Sequence, residues 1–153
     1  MEFKITSPAF NHGSQIPSKY TCDGEDINPH LAIHGVPPGA KSLALVMEDP
    51  DAPAGLWTHW VVWDIPPETS EIREHTAPIG TAEGLNSWGE TGYGGPCPPS
   101  GTHRYFFRLF ALDTRIKLLA SSKRDALEAA MAGHILATAE LMGTYIRSNE
   151  APL

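Results

Sequence analysis

Three short clusters in this sequence bring together side chains that exchange protons and bind small ions. Residues 49–53 read Asp-Pro-Asp-Ala-Pro, so that two prolines restrict the backbone around two carboxylates. His59 opens a strand-like segment soon afterwards, and His103 and Tyr105 follow a loop that is rich in Gly and Pro. We predict that these clusters surround one small-ligand pocket, made by Asp49, Asp51, His59, His103 and Tyr105.

Spacing and loop composition support this prediction. In a strand, His103 and Tyr105 lie on one face, about 6.6 Å apart along the chain. Residues 84–101 contain more Gly and Pro than a simple connection needs, and long loops of this kind are often functional. Each cluster alone also has a structural interpretation, as a polar Asp-Pro turn, a structural histidine or a long surface turn.

Sequence motifs that would indicate other kinds of site are absent. Residues 92–95, Gly-Tyr-Gly-Gly, are not followed by the Gly-Lys-Ser or Gly-Lys-Thr of a phosphate-binding loop. The chain has neither a Gly-x-Ser-x-Gly nucleophile motif nor a His-Glu-x-x-His zinc motif. A metal site of Asp49, Asp51, His59 and His103 is chemically reasonable, because carboxylate and imidazole are good ligands. We favour a site without metal and without a cofactor.

Composition predicts a single globular domain over residues 1–153, with 41% hydrophobic and 19% charged residues. The 14 glycines and 14 prolines indicate many turns. A formal net charge of -7 argues against nucleic acid as a partner, because phosphate backbones bind basic surfaces.

The sequence shows neither a pattern typical of a secretory signal nor one typical of a membrane-spanning segment. The N-terminus lacks a basic start followed by an apolar run, so we expect no secretory signal. No apolar stretch approaches membrane-spanning length, so we expect no stable membrane insertion and a cytoplasmic location. Cys22 and Cys97 lack a Cys-x-x-Cys spacing, which predicts two reduced thiols, with a disulfide between them left open as the alternative.

Hydrophobic patterns predict strands over most of the chain. Residues 42–49 are apolar on both faces and indicate a central strand. Residues 58–65 are rich in Trp and Val, and residues 103–113 place Tyr105, Phe107 and Leu109 on one face. Weaker strands are predicted at residues 3–7, 31–34 and 72–74.

The C-terminal part is Ala-rich and predicts two short helices. The first has Ser122 as N-cap with Asp125 as its capping-box partner, and it runs through Leu127 and Met131 to Gly133. The second is predicted from the helical spacing of apolar residues 135, 139, 142 and 146. The predicted fold class is therefore mainly β: an antiparallel, Greek-key-like β-sandwich with a C-terminal pair of short α-helices.

Together, these motifs resemble the phosphatidylethanolamine-binding protein family, also called the Raf kinase inhibitor protein family. The resemblance is carried by Asp-Pro-Asp-Ala-Pro at 49–53, His-Trp at 59–60, and Gly-Pro followed by Gly-x-His-Arg-Tyr within 95–105. Residues 133–145, Gly-His-Ile-Leu-Ala-x-Ala-Glu-Leu-Met-Gly-Thr-Tyr, are similar as well. Thr-Cys-Asp-Gly-Glu-Asp at 21–26 and Asn-Ser-Trp-Gly at 86–89 resemble the family's short prokaryotic branch.

The resemblance implies a β-sandwich with an anion pocket. Pro96 and its neighbouring loop would form one wall, and Cys97 in that loop would add a thiol. The ligand-binding residues that we predict are Asp49, Asp51, Pro53, His59, Pro96, Cys97, His103 and Tyr105.

Two carboxylates in an anion pocket require an explanation. We expect Asp49 or Asp51 to accept a hydrogen bond from a histidine and to favour its protonated form, which then binds phosphate or carboxylate together with the Tyr105 hydroxyl. This mechanism predicts a non-enzymatic protein that binds a small anionic or phosphorylated ligand more tightly at low pH.

Other functions use the same pocket. Some relatives inhibit a protein kinase or a serine protease, which would make the pocket a reader of phosphorylated or acidic segments. A hydrolase with an Asp/His acid–base pair is the alternative. Short relatives also suggest a homodimer.

Overall fold

The computed structural model describes residues 1–147. Within that range the chain forms two antiparallel sheets, one α-helix, α1 (Arg124–Met131), and one 3-10 turn (Ser18–Tyr20). The strands are β1 (Lys4–Thr6), β2 (Leu31–His34), β3 (Ser42–Asp49), β4 (Trp57–Ile65), β5 (Glu71–Ile72), β6 (Ala82–Glu83), β7 (His103–Leu112) and β8 (Ile135–Tyr145). The prediction of a mainly β, antiparallel fold is confirmed.

Strand order places the central strands where the pocket is expected. The smaller sheet has the order β1-β2-β5, and the larger sheet has the order β6-β4-β3-β7-β8. β3 therefore pairs with β4 on one side and with β7 on the other, both antiparallel. The last residue of β3 lies beside the first residues of both neighbours, because antiparallel strands run in opposite directions.

β3 is buried along its whole length because both faces of the larger sheet are covered. Leu43, Leu45 and Met47 face the core between the two sheets. Ala44 and Val46 face a second cluster, to which α1 contributes Leu127 and Met131. The continuous apolar run predicted a central strand, and the prediction is confirmed.

β7 shows the alternation that its sequence predicts. Tyr105, Phe107 and Leu109 are fully buried between the sheets. The intervening residues, from Arg104 to Phe110, are exposed or half-buried. The three weaker predicted strands correspond to β1, β2 and β5 of the smaller sheet, although β5 shares only Ile72 with the predicted range 72–74. The short strand β6 was not predicted.

The second predicted C-terminal helix is wrong, because residues 135–145 form strand β8. β8 pairs with β7 from His103↔Tyr145 to Leu112↔Ile135. Alternate residues of β8 pack on the core between the sheets, among them Ala137, Ala139, Leu141 and Tyr145. The segment fits a period of two as well as a helical period, and pairing with the long strand β7 decides between them.

The first predicted helix is confirmed, but its predicted N-cap is wrong. α1 starts at Arg124 with Lys123 as N-cap, and no side chain caps it. The Ser122 carbonyl instead accepts a hydrogen bond from the Leu85 amide at 2.9 Å. This contact holds Ser122 in the preceding loop. Among the described residues, no helix has the length and apolar character needed to cross a membrane.

Candidate functional site

A cavity of about 290 Å³ lies where β3 ends and β4 and β7 begin. It is lined by Asp49, Ala52, Pro53, Ala54, Trp57, His59, Trp88, Cys97, Pro98, Pro99, His103 and Tyr105. We call Asp49, His103 and Tyr105 the strand wall, because they lie on β3 and β7. We call Trp88, Cys97, Pro98 and Pro99 the loop wall, because they lie in the connection between β6 and β7.

The strand wall contains a buried hydrogen-bonded pair of Asp49 and His103. The register of β3 and β7 runs to Glu48↔Phe106, so Asp49 follows beside Tyr105 and near His103. His103 Nδ1 donates to Asp49 Oδ2 at 2.7 Å, and both residues are less than 10% exposed. The other carboxylate oxygen, Oδ1, accepts the Asp51 amide at 2.7 Å. Both oxygens of Asp49 are therefore engaged within the protein.

His59 reaches the cavity through a β-bulge. β3 and β4 pair at Met47↔Trp60 and next at Glu48↔Thr58, so His59 is the extra residue on β4. Strict alternation would place His59 on the face of Val61, which packs towards α1. The bulge instead brings the His59 ring against Tyr105, with 5.2 Å between ring centres.

The hydrogen bonds of His59 define its tautomer. Nδ1 lies 2.7 Å from the Gly94 carbonyl oxygen, which can only accept, so the proton is on Nδ1. Burial lowers the pKa of His59, and this effect outweighs the Gly94 carbonyl and the Asp49 carboxylate, which raise it. The neutral ring therefore has Nε2 as a hydrogen-bond acceptor.

Among residues 1–147, the two buried side-chain polar atoms without a hydrogen-bond partner both belong to residues that line this cavity. They are Trp57 Nε1 and the Tyr105 hydroxyl oxygen. Burial, followed by the charges of Asp49 and Asp51, raises the pKa of Tyr105, so the phenol keeps its proton. Buried polar groups are nearly always paired, and unpaired ones at a cavity indicate a missing ligand or water.

Asp51 is held outside the cavity by Arg104. Its Oδ2 accepts the Arg104 amide and Nε at 2.9 Å each, and its Oδ1 accepts a second guanidinium nitrogen at 2.9 Å. These hydrogen bonds from Arg104 lower the pKa of Asp51. The pair connects the loop after β3 to the start of β7, and it thereby positions the residues on both sides of the strand wall.

The loop wall depends on two glycines that permit close contacts. A Cβ at Gly94 would lie 2.5 Å from the Trp88 ring, and a Cβ at Gly95 would lie 2.4 Å from the Tyr20 carbonyl oxygen. The Gly95 amide donates to Asp26 Oδ1 at 2.8 Å. Residues 94–95 are therefore in close contact with Trp88 on one side and with residues 20–26 on the other, which only glycine permits.

A disulfide joins Cys22 and Cys97, so the prediction of two reduced thiols is wrong. The two cysteines are 75 positions apart, and their neighbourhood is formed by contacts that the cysteine spacing does not reveal. The Cys22 amide also donates to the Pro96 carbonyl at 3.1 Å. Cys97 consequently contributes a disulfide sulfur to the cavity in place of the expected thiol. The cytoplasmic location stays a prediction.

The structure brings most of the predicted site residues together. Six of the eight line the cavity, namely Asp49, Pro53, His59, Cys97, His103 and Tyr105. Asp51 and Pro96 are adjacent in sequence to the lining but are not part of it. Trp57 and Trp88 were missed. Their rings contact each other edge to face at 5.4 Å, and an aromatic residue beside each polar cluster was the available signal.

Within residues 1–147, no cluster of three His, Cys, Asp or Glu side chains has an arrangement that could hold a metal ion. The residues that line the cavity also carry groups suited to hydrogen bonding. The Trp57 N–H and the Tyr105 hydroxyl can donate, and His59 Nε2 can accept.

Comparisons with known proteins agree over nearly the whole chain. The family model for phosphatidylethanolamine-binding protein matches residues 6–146. A UPF0098 protein of Methanothermobacter thermautotrophicus is 54% identical over 149 residues, which cover 94% of this chain and 98% of the relative. A UPF0098 protein of Aquifex aeolicus is 47% identical over 151 residues, covering 94% of this chain and 88% of the relative.

Two solved structures have the same fold. The phosphatidylethanolamine-binding protein homolog CT736 of Chlamydia trachomatis has a TM-score of 0.92 and 45% identity, covering 95% of this chain and 98% of that one. YbcL of Escherichia coli, described as a member of the mammalian PEBP family, has a TM-score of 0.90 and 32% identity. That match covers 97% of this chain and 100% of YbcL.

Proposed function

Because the chain belongs to the phosphatidylethanolamine-binding protein family, we propose that it is a non-enzymatic binding protein whose cavity holds a small anion. The anion would be a phosphate, phosphoryl or carboxylate group. The observation that carries the proposal is the buried Asp49–His103 pair, which lines the same cavity as the two unpaired polar groups of Trp57 and Tyr105.

The Asp49–His103 pair resolves the apparent conflict between a carboxylate and an anionic ligand. Asp49 uses both of its oxygens for hydrogen bonds to His103 and to the Asp51 amide. With Nδ1 of His103 donating to Asp49, a proton on Nε2 of the same ring would let it donate to the ligand. A charge-assisted hydrogen bond of this kind is about twice as strong as a neutral one.

A binding role is favoured over hydrolysis by the residues around His103. Among the described residues that line the cavity there is no Ser, Thr or free Cys that His103 could activate. Burial raises the pKa of Tyr105, which makes its phenol a poor nucleophile. We expect no turnover of aryl phosphates or esters, and turnover that is lost in His103→Ala would establish the hydrolase alternative.

The ligand group could belong to a protein partner. Trp88 lines the cavity and is 45% exposed, and Leu56 beside Trp57 is 46% exposed. Half-exposed large apolar side chains beside a largely apolar cavity with a few polar groups suit a bound segment that continues beyond its anionic group. We extend the proposal to a phosphorylated or acidic segment of a protein kinase or serine protease. If the chain inhibits such an enzyme through this cavity, an excess of free phosphate should relieve the inhibition.

The proposal is tested by calorimetric titration of the wild type and Asp49→Asn with inorganic phosphate. We expect saturable binding that is tighter at pH 5.5 than at pH 8, because His103 must carry a second proton. Asp49→Asn should weaken binding by about 10- to 100-fold, since a hydrogen bond to a charged group contributes about 1.5–3 kcal/mol. Affinity that is independent of pH, or that rises with pH, would contradict the proposal.

The chain provides a matched control for Asp49→Asn. Asp113 Oδ1 accepts a hydrogen bond from His134 Nδ1 at 2.8 Å, and both side chains are about half exposed, away from the cavity. Asp113→Asn removes the carboxylate from a second Asp–His pair of the same chemistry. Phosphate affinity should not change in this variant.

A further inference from the structure

The disulfide lies at a second cavity, of about 230 Å³, which adjoins the first one at the loop wall. Both cysteines line this cavity, together with Asp26, Trp88 and Glu90, and we call it the disulfide cavity. Trp88 and Cys97 line both cavities. Cys22 and Cys97 are each half-buried, so a small thiol can reach the disulfide from this side while the chain stays folded. Disulfides that are accessible in this way are the ones that exchange with thiols.

Hydrogen bonds join the same two segments independently of the disulfide. The Cys22 amide donates to the Pro96 carbonyl at 3.1 Å, and the Gly95 amide donates to Asp26 Oδ1 at 2.8 Å. Neither bond involves a sulfur atom, so both persist when the cysteines are reduced. The reduced cysteines would therefore stay near each other and could form the disulfide again. This arrangement suits a disulfide that opens and closes in the folded protein.

The disulfide cavity has an acidic rim, formed by the carboxylates of Asp26 and Glu90. Among the described residues that line it there is no Lys, Arg or His. Within residues 1–147, neither rim carboxylate is part of an ion pair. Asp23, which follows Cys22, is paired with Arg147, so that pair adds no net charge.

The charge of the rim acts on any thiol that approaches. The reacting form of a thiol is the thiolate, which is negatively charged and is repelled by carboxylates. A second negative charge on the reagent increases the repulsion, and a positive charge on it offsets the charge of the thiolate. The rim should therefore sort thiols by their net charge.

We propose that the Cys22–Cys97 disulfide is a thiol–disulfide exchange site, which reacts through the disulfide cavity with neutral or positively charged dithiols and disfavours anionic thiols. The reagent's thiolate forms a bond to one cysteine sulfur, the S–S bond breaks, and the other cysteine leaves as a thiolate and takes up a proton. The second thiol of the reagent, after losing its proton, displaces the first cysteine, which leaves as a thiolate and is protonated. The reagent is thereby oxidised to a disulfide and both cysteines are reduced. This inference does not rest on the proposed anion binding.

The experiment measures how fast three small monothiols open the disulfide, because monothiols and dithiols share the first step. The probes are cysteamine, 2-mercaptoethanol and mercaptoacetate, whose thiolates carry net charges of zero, minus one and minus two. Samples are quenched with iodoacetamide and the free cysteines are counted by mass spectrometry. Each rate is divided by the rate of the same thiol with bis(2-hydroxyethyl) disulfide, an uncharged reference, which removes differences in intrinsic reactivity.

At an ionic strength of about 0.01 M, we expect the normalised rate to be at least about tenfold higher for cysteamine than for mercaptoacetate, with 2-mercaptoethanol between them. At about 1 M, where charges interact over only about 3 Å, the preference should fall below about threefold. Equal normalised rates of the three thiols at low ionic strength would overturn the selection by charge.

The double variant Asp26→Asn/Glu90→Gln removes the charge of the rim and should reduce the preference for cysteamine to below about threefold. Asn suits position 26, because it keeps an oxygen that can accept the Gly95 amide and tolerates the φ of 58° found there. Glu90→Gln alone should lower the preference by about threefold, and it supplies the result if the double variant does not fold.

The matched control is Glu2→Gln/Glu68→Gln, which removes two negative charges from exposed residues that do not line the disulfide cavity. The preference should not change in this variant. If it falls as far as in the rim variant, the net charge of the protein is responsible, and the assignment to the rim is overturned. Opening rates that reach one common ceiling as the concentration of each thiol rises would show that the disulfide reacts only after the chain unfolds, which overturns the exchange site itself.

Discussion

The two walls of the cavity are built by different means. The strand wall consists of Asp49, His103 and Tyr105 on adjacent strands, and the continuous ladder between β3 and β7 sets their positions. The loop wall, which includes Trp88 and Cys97, has no ladder of comparable length. It is held by single contacts to β4 and to residues 20–26. The contacts to residues 20–26 include the disulfide and a 2.7 Å hydrogen bond from the Tyr93 hydroxyl to the Tyr20 carbonyl.

The two walls therefore have different roles: the strand wall supplies the hydrogen-bonding groups, and the loop wall encloses the ligand. The strand wall holds the Asp49–His103 pair in a buried, regular framework, which suits a group that must present a proton in a fixed direction. The loop wall contributes apolar surface and a disulfide sulfur. We therefore expect damage to the loop wall to change how well the ligand is enclosed, and damage to the strand wall to change whether it is bound at all.

The largest effect is expected on stability when the disulfide of the loop wall is removed. The double variant Cys22→Ser/Cys97→Ser should lose about 2–4 kcal/mol of unfolding free energy, as is typical for a native disulfide. Its phosphate affinity should fall only about two- to tenfold, because binding must then reorder loop side chains at about 0.5–1.5 kcal/mol each. Urea unfolding and calorimetric titration measure the two quantities.

Treatment of the wild type with a dithiol reductant provides the matching control. Reduction should lower affinity as far as the double variant does, and the variant itself should not respond to the reductant. If affinity stays constant in both cases, the hydrogen bonds of the loop wall are sufficient without the disulfide. If affinity is lost completely, the two walls do not differ in the way that we infer.

The same difference explains what could be predicted from the sequence. Strand periodicity and strand ends predicted β3, β7 and the grouping of Asp49, His103 and Tyr105, because these features are encoded locally. The sequence left open which carboxylate serves which histidine. The geometry pairs Asp49 with His103 and Asp51 with Arg104.

Other features depend on contacts between distant segments. The bulge that turns His59 towards Tyr105 exists only in the register between β3 and β4. The disulfide joins residues 75 positions apart. The strand β8 was predicted as a helix because its small apolar residues fit both periods, and only the free edge of β7 selects the strand. The loop wall was accordingly the less predictable half of the site.

A smaller effect on stability is expected from the titration of His59. This residue connects the two walls, because it lies on β4 and its Nδ1 donates to the Gly94 carbonyl. Burial lowers its pKa in the folded protein, whereas the unfolded chain has the ordinary value of about 6.5. Below that pH the unfolded chain binds a proton that the folded protein excludes. Stability from this group is present above about pH 6.5 and is lost at up to about 1.4 kcal/mol per pH unit as pH falls.

His59→Asn removes this titration and keeps the bond to Gly94. As pH falls from 7.5 to 5.5, the wild type should therefore lose more unfolding free energy than the variant. The difference in unfolding free energy between the two proteins should narrow over the same range. Urea unfolding at several pH values measures it. A difference that is the same at all pH values would show that His59 titrates in the folded protein as it does in the unfolded chain, and His59 would then be free to act as a donor.

The smallest effect is expected at Asp51, which supports the strand wall from outside the cavity. Its ion pair with Arg104 is partly exposed, so Asp51→Asn should cost only about 0.2–1 kcal/mol of unfolding free energy at pH 7. Because Arg104 lowers the pKa of Asp51 in the folded protein, this contribution is present above the ordinary pKa of about 3.9 and disappears as pH falls below it. Phosphate affinity should change less than about threefold, since the affected pair does not line the cavity.

A loss of affinity as large as that expected for Asp49→Asn would mean that the two aspartates act as one unit. The strand wall would then extend into the loop after β3, and the distinction between a framework that carries the chemistry and a loop that encloses it would have to be drawn elsewhere.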